Sequence, residues 1–339
     1  MSSAFPPTFP LSSEALGELV ATSVPATDVA SAGARSGMPT CVAIGAFDGV
    51  HLGHRRLIEA CVSDAHARGL RALVVTFDPD PSEVLSSSPT EQRLLDVRDR
   101  IGFCATLGVD DIVTLRFDAR LASQSPEAFV GFLEEEAGPL ACVHVGENFR
   151  YGAGGAGTTA TLEEIGARRG FAVITHPLLQ EGGQTVSSTR IRALLEAGDV
   201  EQAAKLLGRC HFVRGMVEHG RGEGTSFGFP TANVSCDPRV CLPGEGVYAC
   251  VVTDGVHAWP SAANVGAPPT FSGRRAAFLE ANLIGFDGDL YGRDLAVVFL
   301  AWLRGSRTFD SLEELERTVL GNIDWVSRNV GSHGVEVSR

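Results

Sequence analysis

Between residues 40 and 176 short apolar runs alternate with amphipathic stretches. Residues 41–44 are wholly apolar and predict a buried strand. In 55–68, Leu57, Ile58, Cys61, Val62 and Ala65 return to one face at helical spacing, and Gly69 ends the stretch. The alternation continues with strands over 72–77, 111–117, 142–145 and 171–175. Helices are predicted over 91–107, over 158–169, and from the Ser125-Pro126-Glu127 start to 136, where Ser is an N-cap and Pro takes the first helical position. Strand and helix in alternation predict a parallel sheet covered on both faces, with ligands outside the carboxyl ends of the strands.

After two short helices, over 190–197 and 200–207, the period changes from helical to alternating. Strands are predicted over 211–218, 246–253, 258–264, 277–286 and 295–303, with turn signals at Asp254-Gly255 and Asp287-Gly288. Successive strands without helices predict an antiparallel β-barrel, closed by a terminal helix over 311–326. The fold class is therefore α/β followed by all-β. The expected divisions are an N-terminal extension (1–37), a Rossmann-like domain (38–200), a barrel domain (201–330) and a tail (331–339). The extension is rich in Ser, Ala, Pro and Gly and reads as loosely ordered, with one short helix over 14–21.

Length and charge narrow the classes. At 339 residues the chain has room for about two domains. The net charge of −13 argues against a general nucleic-acid or anionic-membrane binder. The longest apolar run, 295–303, is too short to span a bilayer, and no secretory signal is read at the N-terminus. Lys205 is the one lysine and is followed by Leu206, so there is no GK[ST] phosphate loop. The cysteines, Cys41, Cys61, Cys104, Cys142, Cys210, Cys236, Cys241 and Cys250, form no CxxC pair. They are expected to be single core thiols suited to a reducing cytoplasm.

Chemistry is suggested first at Gly45-Ala46-Phe47-Asp48-Gly49-Val50-His51-Leu52-Gly53-His54, between the first strand and the first helix. Histidines three apart at a helix start share a face. The helix N-terminus offers free amides and a positive dipole end, and glycines allow close backbone approach to phosphate. Imidazoles there can donate to a phosphate whose charge grows in a transition state. In isolation the pair also reads as a surface His pair or a partial metal site. Gly146-Glu147-Asn148 ends a strand, and Ser188, Thr189 and Arg190 open a helix, a second anion-binding pattern that in isolation also reads as an ordinary cap. The GxGxxG string from Gly152 to Gly157 does not sit between a first strand and a helix, so it is not read as a dinucleotide fingerprint.

A second constellation lies in the barrel half. Gly220-Arg221-Gly222-Glu223-Gly224 precedes Gly228-Phe229-Pro230-Thr231-Ala232-Asn233. Glycines with free amides can cradle phosphates, and the Thr231 hydroxyl and Asn233 carbonyl suit a hard Mg²⁺ ion. The same residues also read as a simple turn. Glu280, amid apolar strand residues, is a candidate general base or an outward-facing strand position.

Taken together, FDGVHLGH, FDPDP, VGENFRYG and SSTRIR resemble the N-terminal module of prokaryotic bifunctional riboflavin kinase/FAD synthetases, within the HxGH nucleotidyltransferase superfamily. GFPTAN, Gly246-Val247-Tyr248, Asn264-Val265-Gly266, Pro269-Thr270-Phe271, Glu280 and Asp289-Leu290-Tyr291-Gly292 resemble the flavokinase half of the same enzymes. The resemblance covers residues 38–328. It implies phosphorylation of riboflavin to FMN, then adenylyl transfer from ATP to FMN giving FAD and pyrophosphate. It implies Gly45, Phe47, Asp48, Gly49, His51, Gly53, His54, Asn148, Ser188, Thr189 and Arg190 at the transferase nucleotide. It implies Gly222, Gly224, Gly228 and Pro230 at the kinase phosphates, Thr231 and Asn233 on Mg²⁺, and Glu280 as the base on the ribityl 5′-hydroxyl. The implied partners are small molecules (riboflavin, FMN and ATP), with no nucleic acid and no membrane, and a monomer or weak homo-oligomer.

The chain departs from the family pattern at several positions. Members usually have Asn at Ala46, His at Asp80, basic residues near Glu223 and Thr225, Arg at Pro268, and an acid at Ser306. A basic residue is also common among Ala153, Gly154, Gly155 and Ala156. The departures touch the kinase loop most. They motivate one rival, an FMN adenylyltransferase whose barrel binds flavin without phosphorylating it. Further rivals are a non-catalytic flavin-binding regulator and a nucleotidyltransferase for another phosphorylated substrate.

Overall fold

The computed structural model describes residues 7–25, 37–85, 92–219, 230–266 and 278–337. Pro25–Ser188 packs as one unit, and Met1–Val24 with Thr189–Arg339 as another. The chain opens on helix α1 (Ser13–Ser23), which belongs to the second unit.

The first unit alternates strand and helix. β1 (Thr40–Ile44) leads to α2 (Leu52–Ala67), β2 (Arg71–Asp78), α3 (Pro81–Leu85), α4 (Val97–Ala105), β3 (Asp111–Arg116), α5 (Ala119–Ala122), α6 (Pro126–Ala137), β4 (Leu140–Gly146), α7 (Thr159–Arg169) and β5 (Ala172–His176). A hairpin of β6 (Gln180–Glu181) and β7 (Gln184–Thr185) follows. The five long strands are all parallel, in the order β3-β2-β1-β4-β5. Every residue of β1 is buried, as a central strand covered on both faces requires. Val42 and Ile44 join Val75, Val143 and Val145 against Phe129, Leu133, Leu162 and Ile165 of α6 and α7. Cys41 alternates to the opposite face, towards Asp64 of α2. Chain order reverses at β1, whose neighbours are β2 and β4, and this is where a doubly wound sheet opens a ligand crevice.

One predicted helix is shorter than expected. The pattern predicts helix over 91–107, but α4 begins at Val97 behind an Asp96 cap. The amides of Leu94 and Leu95 are taken by Asp48 Oδ1, at 2.8 and 3.4 Å, which draws them out of the helical ladder. This is a tertiary bond that local periodicity cannot announce.

The second unit resumes at Thr189, within α8 (Ser188–Glu196), and runs through α9 (Val200–Leu207), β8 (His211–Glu218), β9 (Ala232–Cys236), β10 (Gly246–Thr253), β11 (His257–Gly266), β12 (Phe278–Leu283) and β13 (Asp294–Arg304) to α10 (Leu312–Asn329) and β14 (Val335–Glu336). Its strands run β10-β13-β8-β9-β12-β11, and β11 pairs back onto β10, closing an antiparallel barrel. Closure leaves no free edge on these strands. Tyr248, Phe212 and Phe299 are its bulkiest fully buried side chains. β14 adds to β11 through His257–Glu336 and Ala258–Val335, at a place where the sequence predicts only tail.

Where the sequence suggests a short helix in a loose extension, α1 buries Leu16, Leu19 and Val20. Phe9 meets Trp325 of α10 edge-on at 5.4 Å, and the Leu11 amide donates to the Asn329 carbonyl at 2.7 Å. The segment leading into α1 thus acquires partners more than 300 residues downstream. No helix among the described residues is long and apolar enough to cross a membrane.

Candidate active sites

In the first unit the loop after β1 is held in an unusual shape. Phe47 and Val50 adopt positive φ, at 52° and 38°, and Gly49 adopts 79°. Left-handed backbone at a bulky or β-branched residue costs of order 1–3 kcal/mol and persists only where the surroundings enforce it. Here the Phe47 ring is buried, and Asp48 reaches across to Leu94 and Leu95. The Ala46 carbonyl accepts from Thr76 Oγ1 at 3.0 Å and from Arg100 at 2.6 Å. The Ser188 hydroxyl donates to the Asp48 carbonyl at 2.9 Å.

This loop delivers His51 and His54 to the N-terminus of α2. Their rings stack at 3.6 Å. His51 Nδ1 accepts the His54 amide at 3.3 Å, capping the helix, so the ring proton of a neutral His51 lies on Nε2. Gly53 suits the place beside it, because a Cβ there would stand 3.1 Å from the His51 ring, a tight contact. His54 Nδ1 is buried without a hydrogen-bond partner. Burial holds the His54 pKa well below the ordinary histidine value, and His51 and Arg100 push it the same way. His54 is therefore neutral near pH 7.

Asn148 lies just beyond β4 and is exposed, with its Oδ1 close over Gly146. Ser188, Thr189 and Arg190 form the first turn of α8. Gly45 sits directly after β1, where the Phe47 ring edge would lie 3.1 Å from any added Cβ. Asp80, the position where a histidine is usual, is turned to local use. It accepts from the Ser82 amide and hydroxyl at 2.9 and 2.8 Å and faces Arg100 at 3.9 Å. Arg100, buried and gripping the loop after β1, escapes sequence reasoning because its partners lie far from it along the chain.

The second site is written by strand register. β9 places Asn233 opposite Glu280 of β12 on one side and Glu218 of β8 on the other. Asn264 of β11 stands opposite Glu280. Directly opposed residues share a face, so Glu218, Asn233, Glu280 and Asn264 form one polar row across four strands. Along β12, Leu279, Ala281 and Leu283 are buried while Glu280 and Asn282 are half-buried. Glu280 thus lies on the face opposite the barrel core. Thr231 directly precedes β9, and the Pro230 carbonyl accepts from Asn282 Nδ2 at 2.8 Å, tying this segment to β12. Oxygen donors at Thr231 and Asn233, flanked by carboxylates, fit a hard divalent cation. Gly222, Gly224 and Gly228 lie outside the described residues, as do Glu223, Thr225 and Pro268. Glu218 is a member of the row that the sequence does not single out, since register pairs it with Asn233.

Two family models divide the chain as the two sites do. The FAD synthetase model matches residues 34–190 and the riboflavin kinase model residues 207–329. The bifunctional riboflavin kinase/FMN adenylyltransferase of Escherichia coli (strain K12) is 36% identical over 277 residues, covering 81% of this chain and 88% of that one. The chain belongs to this family. The Bacillus subtilis (strain 168) member is 33% identical over 284 residues, covering 82% and 88%. A crystal structure named as a macrolide-efflux protein from Streptococcus pneumoniae superposes with a TM-score of 0.78 at 28% identity, covering 86% of this chain and 94% of that one. Within the family fold, this chain presents a stacked His pair at a helix N-terminus on one unit and a carboxylate–amide row on the other.

Proposed function

We propose that this chain makes FAD from riboflavin in two ATP-dependent steps, one on each unit. The observation that carries the reading is the coexistence in one chain of the stacked His51–His54 pair at a helix N-terminus and the Asn233–Glu280 pairing on the barrel.

On the barrel, Glu280 accepts the proton of the ribityl 5′-hydroxyl as that oxygen attacks the γ-phosphorus of ATP, giving FMN and ADP. Thr231 and Asn233 would hold Mg²⁺, which when bound neutralises phosphate charge. Pro230 adjoins the phosphate site. Catalysis is largely positioning, and register across four strands supplies it.

On the sheet unit, the phosphate of FMN attacks the α-phosphorus of a second ATP and pyrophosphate leaves. His51 Nε2–H and the α2 amides face the triphosphate, and His54 takes up a proton as that charge arrives. Ser188, Thr189 and Arg190 hold the leaving pyrophosphate, and Asn148 the nucleotide. Gly45, Gly49 and Gly53 keep the backbone bare where phosphate approaches, while Phe47 and Asp48 hold the loop in shape. Nothing in this arrangement calls for a covalent enzyme intermediate. We place the enzyme in the cytoplasm, where its nucleotide and flavin substrates are made.

The test is a product assay with Mg²⁺ and ATP, begun in one tube from riboflavin and in another from FMN, with flavins separated by chromatography. FAD in both tubes is expected. FAD from FMN alone would mean a barrel that binds flavin without phosphorylating it. Bound flavin with no product in either tube would make the chain a regulator.

A further inference from the structure

Beneath the nucleotide loop, on the face of the sheet that packs against α2, a group of reactive side chains has no part in either reaction. Cys41 of β1 and Cys142 of β4 are directly opposed in register. Their Cα atoms are 4.6 Å apart, and a disulfide joins them across 101 residues of chain. Both are fully buried. Over them lies Asp64 of α2, with Oδ2 3.2 Å from Cys142 Sγ and 3.7 Å from Cys41 Sγ. Arg68, one helical turn on, stands 3.2 Å from the same carboxylate oxygen and 3.9 Å from Cys41 Sγ. His144 Nε2 is 3.4 Å from it. The Asp64 and Arg68 side chains are 33% and 43% exposed, so the sulfurs are one side chain away from solvent.

We propose that Cys41, Cys142, Asp64 and Arg68 form a reversible thiol–disulfide site, oxidised by a peroxide and reduced by a dithiol, whose oxidised form ties β1 to β4 and stiffens the nucleotide-binding unit. The chemistry closes. Asp64 takes the proton of Cys142, and the thiolate attacks one peroxide oxygen. The O–O bond breaks, and the departing hydroxide recovers the proton from Asp64 and leaves as water. Cys41 then attacks the sulfenic sulfur of Cys142. The S–O bond breaks, and the second hydroxide leaves with the Cys41 proton as water. Two thiols and one hydrogen peroxide become one disulfide and two waters. Arg68 holds negative charge at the sulfurs throughout.

Selectivity follows from surroundings. Burial pushes Cys61, Cys104, Cys210 and Cys236 up to about 12, which keeps them protonated and unreactive. Burial likewise pushes Cys250 well above the usual thiol range. Cys41 and Cys142 instead stand directly beneath the Asp64 carboxylate, with the Arg68 guanidinium beside Cys41.

The test uses the full chain. After dithiothreitol, denatured protein should titrate eight thiols. After a stoichiometric pulse of hydrogen peroxide it should titrate six, with the Cys41 and Cys142 peptides linked and about 2 mass units lighter than their sum. Reduction should lower the melting transition of the sheet unit by several degrees in the wild type and leave it unmoved in Cys142→Ala. Asp64→Asn, at a part-exposed position, should slow oxidation about tenfold or more while leaving the linked product the same. Eight thiols after peroxide, or linkage through other cysteines, would overturn the proposal. So would one tightly held zinc ion per chain with Cys41 and Cys142 protected, which would make the cluster a metal site. An Asp64→Asn protein oxidised at the parent rate would remove Asp64 from the mechanism.

Discussion

The two candidate sites are positioned by opposite means. On the sheet unit the working residues stand on irregular backbone. Positive φ at Phe47 and Val50 is enforced by buried hydrogen bonds to Asp48 and to the Ala46 carbonyl. On the barrel they stand on regular backbone, and Glu218, Asn233, Glu280 and Asn264 align because neighbouring antiparallel strands put opposed residues on one face. The first design stores strain at a loop and depends on distant anchors. The second needs no strain but is committed to its register, since a slip of one residue would send Glu280 into the core and Leu279 out of it.

The comparison breaks hardest at its chemical centres. Glu280→Gln should lower riboflavin phosphorylation by about 10²- to 10⁴-fold, the range expected on losing a general base. Adenylyl transfer starting from FMN should stay within about twofold. Steady-state rates from the two substrates separate these, and an unchanged kinase rate would reassign the base. His51→Ala is the mirror experiment. Loss of a donor that faces developing phosphate charge should cost the transferase about 10²- to 10³-fold, with the kinase untouched. Equal losses in both activities would mean that the substitution unfolds rather than disarms.

Acid sharpens the contrast further. His211, at the start of β8, is fully buried and its Nε2 lies 2.8 Å from the Cys241 carbonyl. Burial holds its pKa down at about 4. The folded barrel therefore refuses a proton that the unfolded chain accepts below about pH 6.5. Its stability should be level above that pH and fall as pH drops towards 4, by roughly 3 kcal/mol from this residue. Melting curves between pH 7 and 4.5 should show the loss in the parent and a smaller one in His211→Gln. Matching pH profiles would exonerate His211. The smallest effect is expected at His54. Because the free ring is neutral and the triphosphate favours its charged form, ATP binding to the sheet unit should draw in up to about one proton, and affinity should weaken as pH rises. Calorimetry in buffers of different ionisation heat measures this uptake, and its absence would leave His54 a neutral donor.

Much of this architecture is legible from residue order. The switch from helical to alternating period near residue 208 announces a sheet unit and then a barrel, because burial on one face imposes a period that any solvent-facing element must obey. HxGH after the first strand, and Thr231, Asn233 and Glu280 further on, are likewise legible, because short-range spacing along a helix start or an extended segment fixes which groups can face one ligand. Other features took shape only when the chain was packed. α4 starts late because Asp48, 46 residues earlier, claims the Leu94 amide. α1 and the short β14 lie against the barrel because Leu16, Leu19 and Val20 find cover there, which their own local sequence does not specify. Glu218 joins the polar row on the barrel, Arg100 grips the loop after β1, and Cys41 meets Cys142 across 101 residues. Periodicity reports how each segment divides water from core, whereas the pairing of particular side chains depends on sheet register and layer packing, which arise from the whole chain at once.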